Sequence, residues 1–373
     1  MTSWLRRFAA VGLVATAVDV GLAVALLSAG WSVVAADLVA LLAAALVAST
    51  LHRLVTLRDD PFARWIREPA MFATVVVMAG VVDLVVLAAV RTGEGIGADV
   101  AAKVTAVLAA AVVRAVAYRF LLFRAVRVDQ DQPGLLPLEP GLRRLSLILP
   151  AFREADRIGP TLERIRHELG PLVGDRREEL EVVVVDDGSD DGTAEAAEAA
   201  GADRVVRLER NSGKGAAVRA GVRAAAGSTI AFTDADLAYG PAQVAELLVL
   251  VEAGYDMVVG SRRHTDTRTL VRAGRLREAG GRLVNLATHA LLLGQYRDTQ
   301  CGLKAFRADV ARDLFNASTL DGFAFDVELF HLAERWRLSL AEVPVEVEHS
   351  ERSTVRVVRD GARLVADLTR IRQ

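Results

Sequence analysis

Two aspartates separated by one residue, Asp234 and Asp236 in FTDADL (Phe232 to Leu237), carry the sharpest chemical signal in this chain. The apolar, β-branched run Thr229 to Thr233 before them reads as a strand. At a strand end, alternate side chains project the same way, so the two carboxylates are expected to converge. They have no basic neighbour in the motif and would repel one another. A hard divalent cation, Mg2+ or Mn2+, relieves that repulsion and keeps positions for a diphosphate. Held there, it neutralises charge building on a departing nucleotide. An isolated Asp-x-Asp is often only a turn or a cap, so the surrounding motifs decide its meaning.

Two acidic motifs precede it. PAFREADRIG (Pro150 to Gly159) ends one expected strand, and DDGSDDGT (Asp186 to Thr193) ends the next. A carboxylate at such a tip accepts hydrogen bonds from ribose hydroxyls or a base edge. Asp186 or Asp187 can do this, with Glu154 beside the base. Asp187, Ser189, Asp191, Gly192 and Glu198 also match EF-hand spacing, although a strand signal (Val182 to Val185) stands where that loop needs a helix. Asp190 or Asp191 also suits a helix cap. RNSGKGAAVRAG (Arg210 to Gly221) then offers a glycine-flanked lysine. Gly213 and Gly215 permit close backbone approach, and Lys214 can present charge to a phosphate.

The elements that must position these groups are short β-branched runs alternating with helical patterns. Strands are predicted at Leu145 to Leu149, Glu181 to Val185, Arg204 to Leu208, Thr229 to Thr233 and Asp256 to Gly260. Helices fall between them, among them Ala194 to Ala200 and Gly215 to Ala226. This alternation predicts a Rossmann-like α/β domain with a mostly parallel sheet covered on both faces. Ligands then bind beyond the carboxyl ends of the strands, where the polar motifs lie.

Ahead of this domain stand four apolar stretches: Phe8 to Gly30, Ser32 to Thr50, Met71 to Val90 and Val100 to Phe123. Each has about the 20 residues that cross a hydrocarbon core. The first is too long for a signal peptide and three similar runs follow it, so a four-helix transmembrane bundle is expected. Arg6, Arg7, Arg53, Arg58, Arg64, Arg67, Arg119, Arg124 and Arg127 lie on one side. Only Arg91 and, just inside the next helix, Lys103 mark the other. The positive-inside rule then makes both ends of the bundle cytoplasmic, at a cell membrane crossed several times. Asp19, Asp37, Asp83 and Arg114 fall within or near the spans. Such groups contact a lipid phosphate, line a polar path or pair between helices.

The 373-residue chain carries a net charge of -2, which argues against nucleic acid as a partner. Its mean hydropathy of +0.30 is concentrated in the first third. The single cysteine, Cys301, excludes an internal disulfide and a multi-cysteine metal site.

HRLVTLRD (His52 to Asp59) and YRFLLFR (Tyr118 to Arg124) occupy equivalent places after the second and fourth helices. This resembles the four-helix GtrA-like family, whose members carry Asn where His52 and Tyr118 stand here. The motifs from Leu145 onward, with VVGSRR (Val258 to Arg263), DTQCGLKAF (Asp298 to Phe306), FAFDVEL (Phe323 to Leu329) and EVPVEV (Glu342 to Val347), resemble family 2 glycosyltransferases of GT-A fold. Within that family they resemble the dolichyl- and polyprenyl-phosphate hexosyltransferases, and Asp-Thr-Gln-Cys-Gly-x-Lys resembles the glucosyl branch. The resemblance implies inverting transfer of a hexose from UDP-glucose or GDP-mannose to a polyprenyl phosphate beside the lipid bilayer. The alternative is a lipid-linked sugar translocation protein whose cytosolic domain only binds donor.

Carried over by position, the resemblance implies that Pro150, Ala151, Glu154, Asp186 and Lys214 contact the donor nucleotide. Asp234 and Asp236 hold Mg2+ or Mn2+, and Arg262 and Arg277 grip the acceptor phosphate. Ala238 stands where mannose synthases carry a further glutamine ligand, and ERSTVR (Glu351 to Arg356) stands where a lid closes over the pyrophosphate, with Thr354 at its basic position. The expected domains are a transmembrane unit (1-127), a Pro- and Gly-rich linker (128-144), the GT-A domain (145-354) and an amphipathic helix (355-373). An oligomer is left open.

Overall fold

The computed structural model describes residues 2–51, 54, 69–90, 96–134, 137–174, 179–264, 267–269, 292, 296–348 and 367. They fall into two compact units, Met1–Val126 and Arg127–Ile371.

The first unit is built on helices α1 (Thr2–Ser28), α2 (Val33–Leu51), α3 (Pro69–Val90) and α4 (Ile96–Gln130). Apart from the buried Asp37 and Asp83, α2 and α3 are apolar around the helix rather than along one stripe, which suits a lipid surround. Their outward residues include Leu42, Leu46, Val77, Val81 and Val85, all exposed. Inward lie Ala36, Ala40, Ala44, Ala79, Ala102 and Ala106, small enough to let backbones approach closely. A β-carbon on Gly80 would stand 2.7 Å from the Leu41 side chain. Gly30, at φ +83°, makes the turn from α1 to α2. Among the described residues, Ala10–Ser28 and Val33–Leu51 are long and apolar enough to cross a membrane, and Thr74–Val90 is a shorter apolar run.

The second unit centres on a seven-stranded sheet of order β3-β2-β1-β4-β7-β5-β8. Its first four members in chain order are β1 (Arg143–Ala151), β2 (Leu180–Asp186), β3 (Arg204–Arg207) and β4 (Gly227–Phe232). β5 (Met257–Ser261), β7 (Lys304–Arg307) and β8 (Leu340–Pro344) complete it, while β6 (Arg268–Thr269) and β9 (Glu346–Val347) pair separately. Every ladder in the large sheet is parallel except those made by β7, which runs against β4 and β5. Helices α5 (Ala155–Glu168), α6 (Gly170–Val173), α7 (Thr193–Ala199), α8 (Lys214–Ala224), α9 (Ala242–Glu252), α10 (Ala308–Ala317) and α11 (Phe325–Trp336) connect the strands.

β2 (LEVVVVD) is buried along its whole length, as expected of a strand covered on both faces. Its valines divide between two cores. Val183 and Val185 join Ile148 against α8, α10 and α11, whereas Val182 and Val184 join Leu147 and Leu149 against α5 and α9. Each buried valine contributes roughly 1.5–3 kcal/mol.

The stretch read as a linker is docked. α4 runs on to Gln130, and Gly134 N donates to Gly254 O over 2.8 Å. Arg307 donates to Pro137 O (3.2 Å), and Leu142 N to Ala226 O (2.9 Å). Gly254 and Ala226 precede β5 and β4, so the strap lies at the amino end of the sheet and leaves the carboxyl end clear.

Candidate active site

The strand order reverses between β1 and β4: from β1 the chain winds outward to β2 and β3, then returns to β4 on the other side. A crevice opens beyond the carboxyl ends at such a switch point. Pro150 marks it. Backbone groups of successive residues point to opposite neighbours; Ile148 O accepts from Thr233 N beside β4, and Ala151 O from Asp187 N beside β2. Pro150 therefore faces the side where the β1–β4 register has ended, and its missing N–H breaks no ladder bond.

Asp234 and Asp236 lie past the strand. β4 ends at Phe232, and Asp234 to Leu237 make a turn closed by Leu237 N donating to Asp234 O (3.0 Å). The expectation that a strand period aligns the two carboxylates is corrected: a turn presents them. Asp236 Oδ1 accepts from Ala238 N (3.1 Å), and Leu237 is held at φ +47°, a rare conformation for a residue with a β-carbon. Asp234 faces Lys214, whose Nζ donates to Asp234 Oδ1. The charge of Asp236 is felt both by Lys214 and by Glu154. Burial lifts the Glu154 carboxyl above the ordinary glutamate range against the pull of Arg157, and Asp236 and Asp191 add to the rise.

At the end of β2 the two acids divide their work. Asp186 is buried and its Oδ1 accepts from Ser189 N (3.0 Å). Asp187 spends both oxygens on the lysine loop, accepting from Ser212 N (2.7 Å) and Gly213 N (2.9 Å). Burial raises its carboxyl above the usual aspartate range despite those two amides. Asp187 thus anchors the loop that delivers Lys214. The EF-hand pattern dissolves in the same way: Ser189 Oγ accepts from Arg153 N, and Asp191 accepts from Ala155 N and Thr193. These bonds tie the β1 and β2 loops together.

The two glycines around Lys214 serve the chain itself. A β-carbon on Gly213 (φ +103°) or Gly215 would strike the backbone carbonyls of Asp321 or Leu320. Gly215 N donates to Asp321 O (2.7 Å), so the close backbone approach the glycines permit is made by the chain itself. Lys214 is surrounded by acids. Burial alone would depress its ammonium, but Asp234, Asp326 and Asp236 together hold it above the usual lysine range. Asp326 in turn accepts from Lys304 Nζ over 2.6 Å, both side chains being buried. Gly302 lies against Asp234, where any β-carbon would collide with the carboxylate.

Arg262, just past β5, is gripped by Asp298: Nε and Nη2 donate over 2.7 and 2.9 Å, and the backbone N over 3.1 Å. Burial would raise Asp298, but Arg262 overrides it and holds the carboxyl below the usual aspartate range. The Arg262 side chain remains 45% exposed, and Asp298 fixes its direction. Arg277, the segment Glu351 to Arg356 and the expected amphipathic helix at 355-373, apart from Asp367, lie outside the described residues.

The donor set fits a hard divalent cation. Asp234 and Asp236 each keep a carboxylate oxygen that no donor reaches among the described residues. Among those residues no third acid, histidine or cysteine joins Asp234 and Asp236 in a group that could hold a metal, so such a cation would complete its shell with ligand oxygens and water.

Residues 146–315 match the model of glycosyl transferase family 2, and residues 7–125 match the GtrA/DPMS transmembrane domain. A dolichyl-phosphate beta-glucosyltransferase of Drosophila melanogaster is 35% identical over 229 residues, covering 58% of this chain and 68% of the relative. The chain belongs to glycosyltransferase family 2. A dolichyl-phosphate beta-glucosyltransferase of Homo sapiens is 29% identical over 233 residues, 56% of this chain and 69% of the relative. Glucosyl-3-phosphoglycerate synthase from Mycobacterium tuberculosis, solved with Mn2+ and UDP, aligns with a TM-score of 0.48 and 24% identity, covering 67% of this chain and 83% of that one.

In this family 2 glycosyltransferase the sequence reading assigned no role to Asp298, Gly302, Lys304, Asp326 or Glu328. Their signal was the pair of runs DTQCGLKAF and FAFDVEL, which gave order along the chain and no partner. Glu328 collects Ser318 Oγ, Thr319 N and Leu320 N at 2.9–3.0 Å, setting the loop whose next residue, Asp321, caps α8.

Proposed function

We propose that this membrane-bound family 2 enzyme transfers glucose from UDP-glucose to a polyprenyl phosphate at the cytoplasmic membrane face, inverting the anomeric carbon. One observation carries the reading: the Asp-x-Asp turn stands at the switch-point crevice with Lys214 on it, in a chain whose relatives are dolichyl-phosphate beta-glucosyltransferases. Asp234 and Asp236 would hold Mg2+ or Mn2+, which when bound neutralises the charge that develops on the departing nucleoside diphosphate.

The remaining work falls to the chain's own groups. Pro150, Ala151, Glu154 and Asp186 line the nucleotide side of the crevice, and Asp187 keeps the lysine loop in place. Lys214 supplies positive charge beside the diphosphate. Arg262, oriented by Asp298 and joined by Arg277, receives the acceptor phosphate, for which a guanidinium fork is suited. A phosphate monoester has its second pKa near 6 and is mostly dianionic at neutral pH, so it needs no general base. Catalysis is then mainly the electrostatic task of holding two anions in line.

The test uses the purified full chain with polyprenyl phosphate and either UDP-glucose or GDP-mannose. We expect glucosyl transfer that EDTA abolishes and that Asp236→Ala loses while the membrane unit stays folded. Undiminished turnover in excess EDTA would remove the metal role, and preference for GDP-mannose would remove the sugar assignment. Donor binding without product would return the chain to the translocation reading.

A further inference from the structure

Each helix of the membrane unit contributes one ionisable residue to a single buried point. Asp19 comes from α1, Asp37 from α2, Asp83 from α3 and Lys103 from α4, and none is more than 3% exposed. Lys103 Nζ donates to Asp37 Oδ1 (2.5 Å) and Asp83 Oδ2 (2.6 Å), and lies 3.2 Å from Asp19 Oδ1. Two of the three N–H groups of the ammonium are thus committed, and Asp19 is held beside it as an ion pair. Lys103, read from the sequence as a charge near a loop, is in fact the hub of the bundle.

The acids outnumber the bases. Asp19 Oδ1, Asp37 Oδ2 and Asp83 Oδ1 are buried and have no hydrogen-bond partner among the described residues. Arg114 and Thr16 line a cavity with Asp19, large enough for water, and Asp37 and Lys103 line a second. Counting Asp19, Asp37, Arg114 and Lys103 on these walls together with Asp83, which pairs with Lys103, two bases against three acids leave a formal charge of −1 among the described residues. A net charge inside an apolar bundle is not tolerated uncompensated, and ionisable groups at such depth mark ion or proton sites.

We propose that the core of the bundle binds one further small positive charge, a proton or a monovalent cation, among Asp19, Asp37 and Asp83. As a proton, it converts one carboxylate to a carboxylic acid whose O–H donates to an unpartnered oxygen of a neighbour. As a cation, it takes those same oxygens as ligands. The cavity beside Asp19 is large enough to hold water at that carboxylate. The site is separate from sugar transfer and does not depend on the reading given above.

The full chain in lipid nanodiscs tests this. Infrared spectra at pH 7 should contain the carbonyl stretch of a protonated carboxyl that is missing from Asp83→Asn, with Asp37→Asn as a second variant should the first not fold. That result, independent of Na+ and K+, identifies a proton. If the band is missing from wild type, a saturable rise of several degrees in its melting temperature with Na+ or K+, against an organic cation at equal ionic strength, identifies a metal cation. Absence of both signals would overturn the proposal, because the carboxylates would then be neutralised by the bases already within the bundle.

Discussion

Asp326 stands between two ammonium groups: it accepts from Lys304 Nζ over 2.6 Å, and its charge reaches Lys214, which donates to Asp234. Charges therefore alternate from the fully buried Lys304 outward to the crevice. Each member is fixed by its neighbours, and the outermost carboxylate inherits its position from the innermost lysine.

Removing Asp326 strands a lysine that has no water to turn to. Breaking one partner of a buried pair costs about 3–5 kcal/mol, whereas replacing both by apolar residues is far milder. Asp326→Ala is expected to lower the chemical denaturation midpoint of the full chain sharply. The double variant Lys304→Met with Asp326→Leu is expected to recover most of it. A single variant as stable as wild type would show that the pair is not what holds this region.

Gly302→Ala tests the close approach at the Asp-x-Asp turn. A β-carbon there meets the Asp234 carboxylate, so the turn must shift. Displacement of reacting groups by about 1 Å costs on the order of 100-fold in rate. We expect kcat to fall by that order with folding largely intact, read by steady-state transfer and by thermal melting. Normal kcat would mean that Asp234 can move without consequence.

Asp187→Asn replaces one acceptor oxygen with a donor facing a backbone N–H. One of the bonds to Ser212 or Gly213 is lost, at about 1–1.5 kcal/mol. The expected result is a roughly tenfold rise in donor KM, with acceptor KM unchanged because Arg262 and Asp298 are untouched. A rise in acceptor KM alone would contradict the loop-anchoring role.

Asp298 makes a prediction in pH. Arg262 depresses its carboxyl in the folded chain, so the stabilisation is present above the unfolded pKa of about 4 and is lost as pH falls through the lower folded value. Melting temperatures from about pH 6 down to about pH 3 should fall more steeply for wild type than for Asp298→Asn. Parallel curves would show that the pair adds nothing in acid.

Much of this architecture was legible because short continuous β-branched runs between turn residues fit strands covered on both faces. The strand at Leu145 to Leu149 extends to Arg143–Ala151 in the fold, since Pro150 can remain in a strand whose neighbour has already left. Glycine spacing could not tell whether Gly213 and Gly215 admit a ligand or the chain's own Asp321 carbonyl, because that contact joins residues about a hundred positions apart. Lys103 was misread for the same reason: hydropathy gives the depth of a residue in a helix, but not the three helices that turn toward it. Asp234 and Asp236 were found by residue type, while the turn that presents them depends on Leu237 adopting a backbone geometry its side chain disfavours.

The reversed strand β7 links the two halves of the crevice. Because it runs against β4 and β5, the ribbon that enters it crosses their carboxyl ends, placing Asp298 on Arg262, Gly302 on Asp234 and Lys304 on Asp326. On the function proposed above, donor and acceptor recognition are thereby written into one short stretch of chain. Loop exchange among related enzymes cannot retune one without carrying the other, so new sugar preferences are better sought at the β1 and β2 tips than in this ribbon.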